Sequence, residues 1–242
     1  MKSNTTDIES ILKKSTGHDP EYKEFREKTT RMSVLGLRLP VMQKIVHDGF
    51  TFYDQTEKNI LKVWDEVWNT SRLHEVLYLP LFYYRNHKNI LGKYEWSIMK
   101  HWIERIENWE HADALSYLYS ILFEKFPKTV LPTFKQWNKS KNPWKQRVSI
   151  VSLIYYASPK RTAPPVDLVL KMVEPLIKSK DRYVNKAVGW TLRESYKLYP
   201  VETFLFIKKH ISELSADSFS YSTEKVTKAQ KVELKKLRSR QI

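Results

Sequence analysis

Apolar residues recur at helical spacing along almost the whole chain. Stripes with an i, i+3, i+4, i+7 period run through EKNILKVWDEVW (57–68), YEWSIMKHWIERI (94–106), LSYLYSILFEKF (115–126), VDLVLKMVEPLI (166–177) and VETFLFIKKHISEL (201–214). Each stripe gives a helix one apolar face to bury and one polar face for water. Pro, Asn, Asp and Ser mark short connections between them, and no segment alternates with the period of two that a half-buried strand requires. The pattern predicts an all-α fold of about ten to twelve helices in antiparallel pairs. Trp64, Trp68, Trp96 and Trp102 fall on the apolar stripes and are assigned to the core.

The pattern also repeats. SKNPWKQRV (140–148) and SKDRYVNKA (179–187) match as S-K-[ND]-x-aromatic-x-[QN]-[RK]-small, displaced by 39 residues. Asn142 and Asp181 are natural N-caps, because their side-chain oxygens accept from the open N–H groups of a first turn. Pro143 then sits at the first helical position, where a missing N–H costs nothing. Asn108 is placed to cap WEHAD in the same way, and Ser71 or Thr70 to cap RLHEVLYLPLFYY. A helix pair of about 33–40 residues is the size of a HEAT-like repeat, so the expected architecture is a single α-solenoid domain over 1–242, with repeats over about 20–213 and a basic C-terminal segment, 216–242.

Five residues beyond each cap lie Asp113, Arg147 and Lys186. Side-by-side helices would set these in a row, acid then base then base, near helix N-termini whose partial positive charge favours phosphate. Trp109, Trp144, Tyr183 and Trp190 surround the row. Trp109 and Asp113 are one turn apart and share a helix face. Gly189, just before Trp190, weakens a helix and so points to close packing or a nearby ligand. YYASPKRTAPP (155–165) reads as a lengthened loop.

Charge changes the picture. Lys and Arg number 42 against 27 Asp and Glu, a net charge of +15. Such an excess points to a polyanion, nucleic acid above all. Cysteine is absent, which removes disulfides, thiolate nucleophiles and cysteine zinc sites, and fits a cytoplasmic protein. The seven His form no H-E-x-x-H, and there is no glycine-rich phosphate loop, G-x-S-x-G or paired-carboxylate motif. No metal or cofactor is expected. The opening MKSNTTDIES lacks the apolar core of a signal peptide, and the longest apolar run is too short to span a bilayer. Asp113 is the one member of the row that phosphate binding does not explain.

VLGLRLPVMQKIV (34–46), NWEHAD (108–113), NPWKQRVSI (142–150) and KAVGWTLRE (186–194) stand in the order and spacing of the AlkD-type alkylpurine DNA glycosylases, which the chain resembles from about residue 20 to about 213. The resemblance implies a HEAT-like superhelix holding double-stranded DNA in a basic concave face, as a monomer, in the cytoplasm (at the nucleoid, in a bacterium). It makes Asp113 the catalytic carboxylate, with Trp109 and Trp190 flanking the lesion-bearing nucleotide. Arg147 and Arg193 match positions that contact the DNA backbone. Lys186, Trp144, Lys145 and Arg38 complete the candidate DNA-binding set. A purine alkylated at N3 or N7 is cationic and already a good leaving group, so one carboxylate can suffice to stabilise the positive charge growing on the sugar. Two further classes fit the residues: a DNA-binding HEAT protein without catalysis, and a protein-interaction solenoid.

Overall fold

The computed structural model describes residues 4–158 and 161–240. The first three residues of the polar N-terminal segment, Pro159 and Lys160 of the 155–165 loop, and the last two residues of the basic C-terminal segment lie outside the described residues. The described residues form fourteen α-helices and five short 3-10 turns, with no strand beyond two isolated bridges. The count exceeds the expected range partly because the C-terminal segment folds into two helices of its own.

The chain forms two compact units, Met1–Leu118 and Tyr119–Ile242. The first holds α1 (Asn4–Lys14), α2 (Pro20–Glu27), α3 (Leu39–Asp48), α4 (Glu57–Thr70), α5 (Tyr78–Asn86), α6 (Lys93–Met99) and the start of α7 (Trp109–Lys125). The second holds the rest of α7, then α8 (Pro127–Asn138), α9 (Pro143–Val151), α10 (Val166–Val173), α11 (Arg182–Leu198), α12 (Pro200–Lys209), α13 (Ala216–Ser222) and α14 (Lys228–Ser239). Three of the apolar stripes are shorter helices than their period suggests, the 201–214 stripe ending as a helix at Lys209. The 94–106 stripe breaks after Met99 and resumes as a 3-10 turn at Trp102–Arg105, and Pro175 turns the end of the 166–177 stripe into a second one.

The core of the first unit is built on tryptophan, as expected. Trp64, Trp68 and Trp102 are fully buried and Trp96 nearly so. Trp68 and Trp102 stack with centroids 4.9 Å apart. Their indole N–H groups donate to Trp102 O at 3.0 Å and to Asp65 Oδ1 at 2.7 Å, so neither ring strands a donor in the interior.

The VLGLRLP segment is explained by a residue far away in sequence. The fully buried carboxylate of Glu75 accepts from the backbone N–H groups of Leu35, Gly36 and Leu37, at 3.0, 2.7 and 3.3 Å. Gly36 has φ +89°, and a Cβ there would lie 2.6 Å from Asp19 O, so this close wrap requires glycine. The expected cap at Thr70 or Ser71 is not made. Ser71 ends α4 instead, donating to Glu9 at 2.7 Å and accepting from Leu73 N, and the next helical turn starts at Glu75.

In the second unit α11 packs against α9 on one side and α13 on the other. The two matching segments cap their helices alike. Asn142 Oδ1 accepts from Trp144 N at 2.8 Å, and Asp181 Oδ1 accepts from Tyr183 N at 2.8 Å and Val184 N at 3.0 Å. The serine two residues before each cap accepts from the cap's own N–H. Ser215 caps α13 in a third variation that the sequence pattern did not reveal. A Cβ on Gly189 would lie 2.6 Å from Ser218 O and 2.7 Å from Tyr221 Cβ, so the glycine serves the close approach of α11 and α13.

Candidate active site and nucleic-acid contacts

In the first unit, α7 begins with Asn108, whose Oδ1 accepts from His111 N at 2.9 Å. Trp109 follows at the first helical position with 38% of its surface exposed, unlike the core tryptophans. Asp113 lies one turn on, half-buried. Beneath these two is a buried polar cluster that nothing in the local pattern announces. Arg26 of α2 brings its guanidinium 2.5 Å from Glu110, with both side chains about nine-tenths buried. Tyr22 and Phe25 carry the guanidinium on their rings, at 4.7 and 5.1 Å from the centroids.

Burial pushes the Glu110 carboxyl up, Arg26 opposes this, and the neighbouring Asp113 charge adds to it. The Tyr78 hydroxyl, raised by burial and then by the Glu110 charge, also bonds to Glu110. His74 and His111 complete the cluster with rings 4.4 Å apart. Burial and the Arg26 charge lower His74 to about 4, and burial followed by the His74 charge puts His111 well below its ordinary value. Both are neutral at pH 7. The His111 tautomer follows from its partners. Asn108 Nδ2, 3.0 Å away, can only donate, so His111 Nδ1 accepts and its Nε2–H donates to His74 O at 3.1 Å.

Arg38, also in this unit, is exposed and forms a two-point pair with Asp19, Nε and Nη2 both meeting Oδ2, at 2.8 and 2.7 Å. Asp19 is the cap of α2, and the bond from Tyr22 N together with Arg38 holds its carboxyl low. The Arg38 guanidinium thus already meets one anion while keeping a solvent-facing edge.

In the second unit Arg147 is 7% exposed, and its Nη1 donates to Tyr183 O at 2.8 Å. It therefore ties α9 to the first turn of α11, a structural link that the row of bases did not anticipate. Trp144 and Tyr183 meet above this link with centroids 4.8 Å apart. Trp144, Lys145, Lys186 and Trp190 are all half-buried. The Arg193 guanidinium lies 5.7 Å from the Trp190 ring and pairs with Glu194 at 3.1 Å and Glu224 at 2.7 Å. The structure thus brings Arg147 to Tyr183, Trp144 to Tyr183 and Arg193 to Trp190. The basic C-terminal segment is docked in this same unit. Thr227 and Gln230 cap α14, Gln230 accepts from Tyr196, and Leu234 is buried.

Arg26, Glu110, His74 and His111 were not among the candidates read from sequence. Glu110 and His111 stand inside NWEHAD, but their partners lie about 37 and 84 positions upstream, beyond any helical period. Among the described residues no helix is long and apolar enough to cross a membrane.

Comparison with known proteins agrees with this architecture. Residues 13–226 match the model of the family described as DNA alkylation repair enzyme. No curated protein matches the sequence. Among solved structures, a predicted DNA alkylation repair enzyme from Enterococcus faecalis is similar over 88% of this chain and 99% of its own, with a TM-score of 0.72 and 17% identity. AlkD2 from Streptococcus mutans is similar over 99% of both chains, with a TM-score of 0.55 and 18% identity. At these identities the likeness is one of fold. The family match covers most of the sequence, and the chain belongs to the DNA alkylation repair enzyme family.

Proposed function

We propose that the chain is a DNA glycosylase that hydrolyses the N-glycosidic bond of cationic N3- or N7-alkylated purines in duplex DNA, as a monomer and without a cofactor. The observation that carries this reading is the start of α7, where an indole exposed at the first turn and a half-buried carboxylate lie one turn apart. A cationic purine leaves without protonation. The bonding pair of the glycosidic C–N bond passes to the purine, which departs neutral, while positive charge gathers on the deoxyribose. Asp113 stabilises that charge, and the electron-rich face of Trp109 adds cation–π attraction. Water then adds at C1′ and releases a proton, with Asp113 placed to orient it. In the second unit we assign contacts with DNA to Trp144, Lys145, Arg147, Lys186, Trp190 and Arg193, and in the first to Arg38.

The test is single-turnover reaction with a duplex carrying one 7-methylguanine, followed by alkaline cleavage. Strand scission is expected from the wild type. Asp113→Asn keeps the side chain's size, and it should slow excision by roughly ten- to a thousand-fold. Affinity for intact duplex should stay equal or rise slightly. Binding without scission by the wild type would instead identify a DNA-binding protein, and a stable Asp113→Asn that excises at the wild-type rate would remove Asp113 from the mechanism.

A further inference from the structure

The loop after α9 carries a residue that the excision chemistry leaves unused. Among the described residues Tyr156 is the one non-glycine with positive φ, at 52°. In this left-handed region a side chain crowds its own carbonyl, and glycine or asparagine would sit with less strain. Burial does not compensate, because Tyr156 is 59% exposed. A bulky aromatic is thus held in an unfavourable backbone conformation and still points largely into water.

The backbone on both sides is anchored. Ala157 N donates to Glu194 Oε2 at 2.9 Å, and Glu194 is fully buried on α11, where Arg193 and Lys197 also pair with it. Arg161 Nη1 donates to Tyr155 O at 2.7 Å, while its Nε and Nη2 bond to Glu124 and Ser120 at 2.6 and 2.9 Å. The anchored loop sets Tyr155 and Tyr156 against Trp190, with centroids 5.7 and 5.6 Å away. The two tyrosine rings are perpendicular, 4.9 Å apart. Arg193 stands at 5.7 Å from the same indole.

Strained residues that the surroundings hold in place belong to binding sites more often than to packing. The group that fits an exposed phenol ring set edge-to-face against an indole is another flat aromatic ring, stacked on the face that points to water. A nucleobase is such a ring. Every base offers a π face, so stacking of this kind tolerates any sequence, and the net charge of +15 favours the nucleic-acid backbone that carries it.

We propose that Tyr156 is a base-stacking residue that receives a base unstacked from the bound duplex beside Trp190, and so favours damaged over intact DNA. The proposal rests on the reading that duplex DNA is the substrate. Its mechanism requires the ring and not the hydroxyl, and it uses no group assigned to bond cleavage.

The test compares wild type, Tyr156→Phe and Tyr156→Gly in equilibrium binding to two duplexes, one intact and one with a single tetrahydrofuran abasic analogue opposite 2-aminopurine. Melting temperatures are measured on the same preparations. The wild type should prefer the abasic duplex and quench the 2-aminopurine, and Tyr156→Phe should do the same. Tyr156→Gly should lose roughly tenfold in affinity for the abasic duplex, the size expected for one stacked base. Its affinity for the intact duplex should stay within about twofold of wild type, and its melting temperature should be equal or higher, because glycine relieves the left-handed backbone. A stable Tyr156→Gly that keeps the abasic preference and the quenching would overturn the proposal, as would an equal loss on both duplexes together with a lower melting temperature. A wild type that binds and discriminates but never excises would sink the glycosylase reading while leaving Tyr156 judged by its own variants. A wild type that binds neither duplex would overturn both.

Discussion

In the second unit, α9 and α11 begin in the same way: a serine, a lysine, an Asn or Asp cap, and an aromatic whose N–H the cap receives. In the first unit, α7 also begins with an Asn cap, but that cap is buried and bonded to a histidine, beside a pair between Glu110 of α7 and Arg26 of the distant α2. The caps of α9 and α11 are local devices, each satisfied within a few residues. At the start of α7 the Asn108 cap is local too, but Glu110 and His111 beside it depend on Arg26 of α2 and on His74 from the turn before α5. The unit with local devices is the one whose structure follows a repeat. The unit with the long-range network is the one that carries the candidate catalytic carboxylate, and there Trp109 and Asp113 stand on the same helix start as a buried Arg26–Glu110 pair and two neutral histidines.

The largest effect should come from splitting that network. Arg26→Met leaves the Glu110 carboxylate buried without its cation and should cost about 3–5 kcal/mol. Combining it with Glu110→Leu should recover most of the loss, because an apolar pair needs no mutual charge. Urea denaturation of the two variants checks this. A double variant no more stable than Arg26→Met would show that the site requires charge rather than mutual compensation.

A somewhat smaller effect follows from the histidines. His74 has an ordinary value of 6.5 and sits at about 4 in the folded protein, with His111 shifted the same way. Between pH 6.5 and 4 the unfolded chain therefore binds protons that the folded chain does not. Stability must then fall as pH falls through that window, by on the order of 3 kcal/mol for His74 alone. Glu110, raised by burial, works in the opposite direction just above the ordinary carboxylate range. Among the described residues the His74 ring nitrogens have no hydrogen-bond partner, so His74→Phe should keep stability at pH 7 within about 1 kcal/mol. It should also flatten the loss between pH 6.5 and 4. A variant with the wild-type pH dependence would assign that dependence elsewhere.

The same contrast decides what could be read from the sequence. The helices, the tryptophan core and the caps at Asn108, Asn142 and Asp181 were legible, because each arises from a period or from contacts within four residues. The Gly189 reading was half legible. A glycine in a helix announces a close approach, but not that α13 makes it rather than a ligand. The place of Arg147 in the repeat marks it as a candidate DNA contact, and only the fold shows that it also bonds to Tyr183 O. Glu75 was invisible, since the loop whose N–H groups it holds lies about 40 residues upstream and a buried glutamate reads locally as a surface one. Tyr156 was hidden for a different reason, because a loop's backbone sign cannot be inferred when the residue that adopts it is not glycine.

The smallest effect tests whether the caps are as local as the repeat suggests. Asn142→Ala and Asp181→Ala should each cost about 1 kcal/mol, the usual value for a lost side-chain cap. Asn108→Ala should cost more, roughly 2 kcal/mol, since it also leaves the buried His111 Nδ1 without a donor. The double variant of Asn142 and Asp181 is the sharper measurement. The two caps do not touch, but the aromatics they orient, Trp144 and Tyr183, are in ring contact, and Arg147 ties the second of these to α9. Independent caps would give losses that add within about 0.5 kcal/mol. Because loosening either first turn disturbs the shared ring contact, the second substitution should cost less than the first. Strict additivity in a double-mutant cycle would mean that the repeats are coupled only through their cores, not through the aromatic contact at their helix starts.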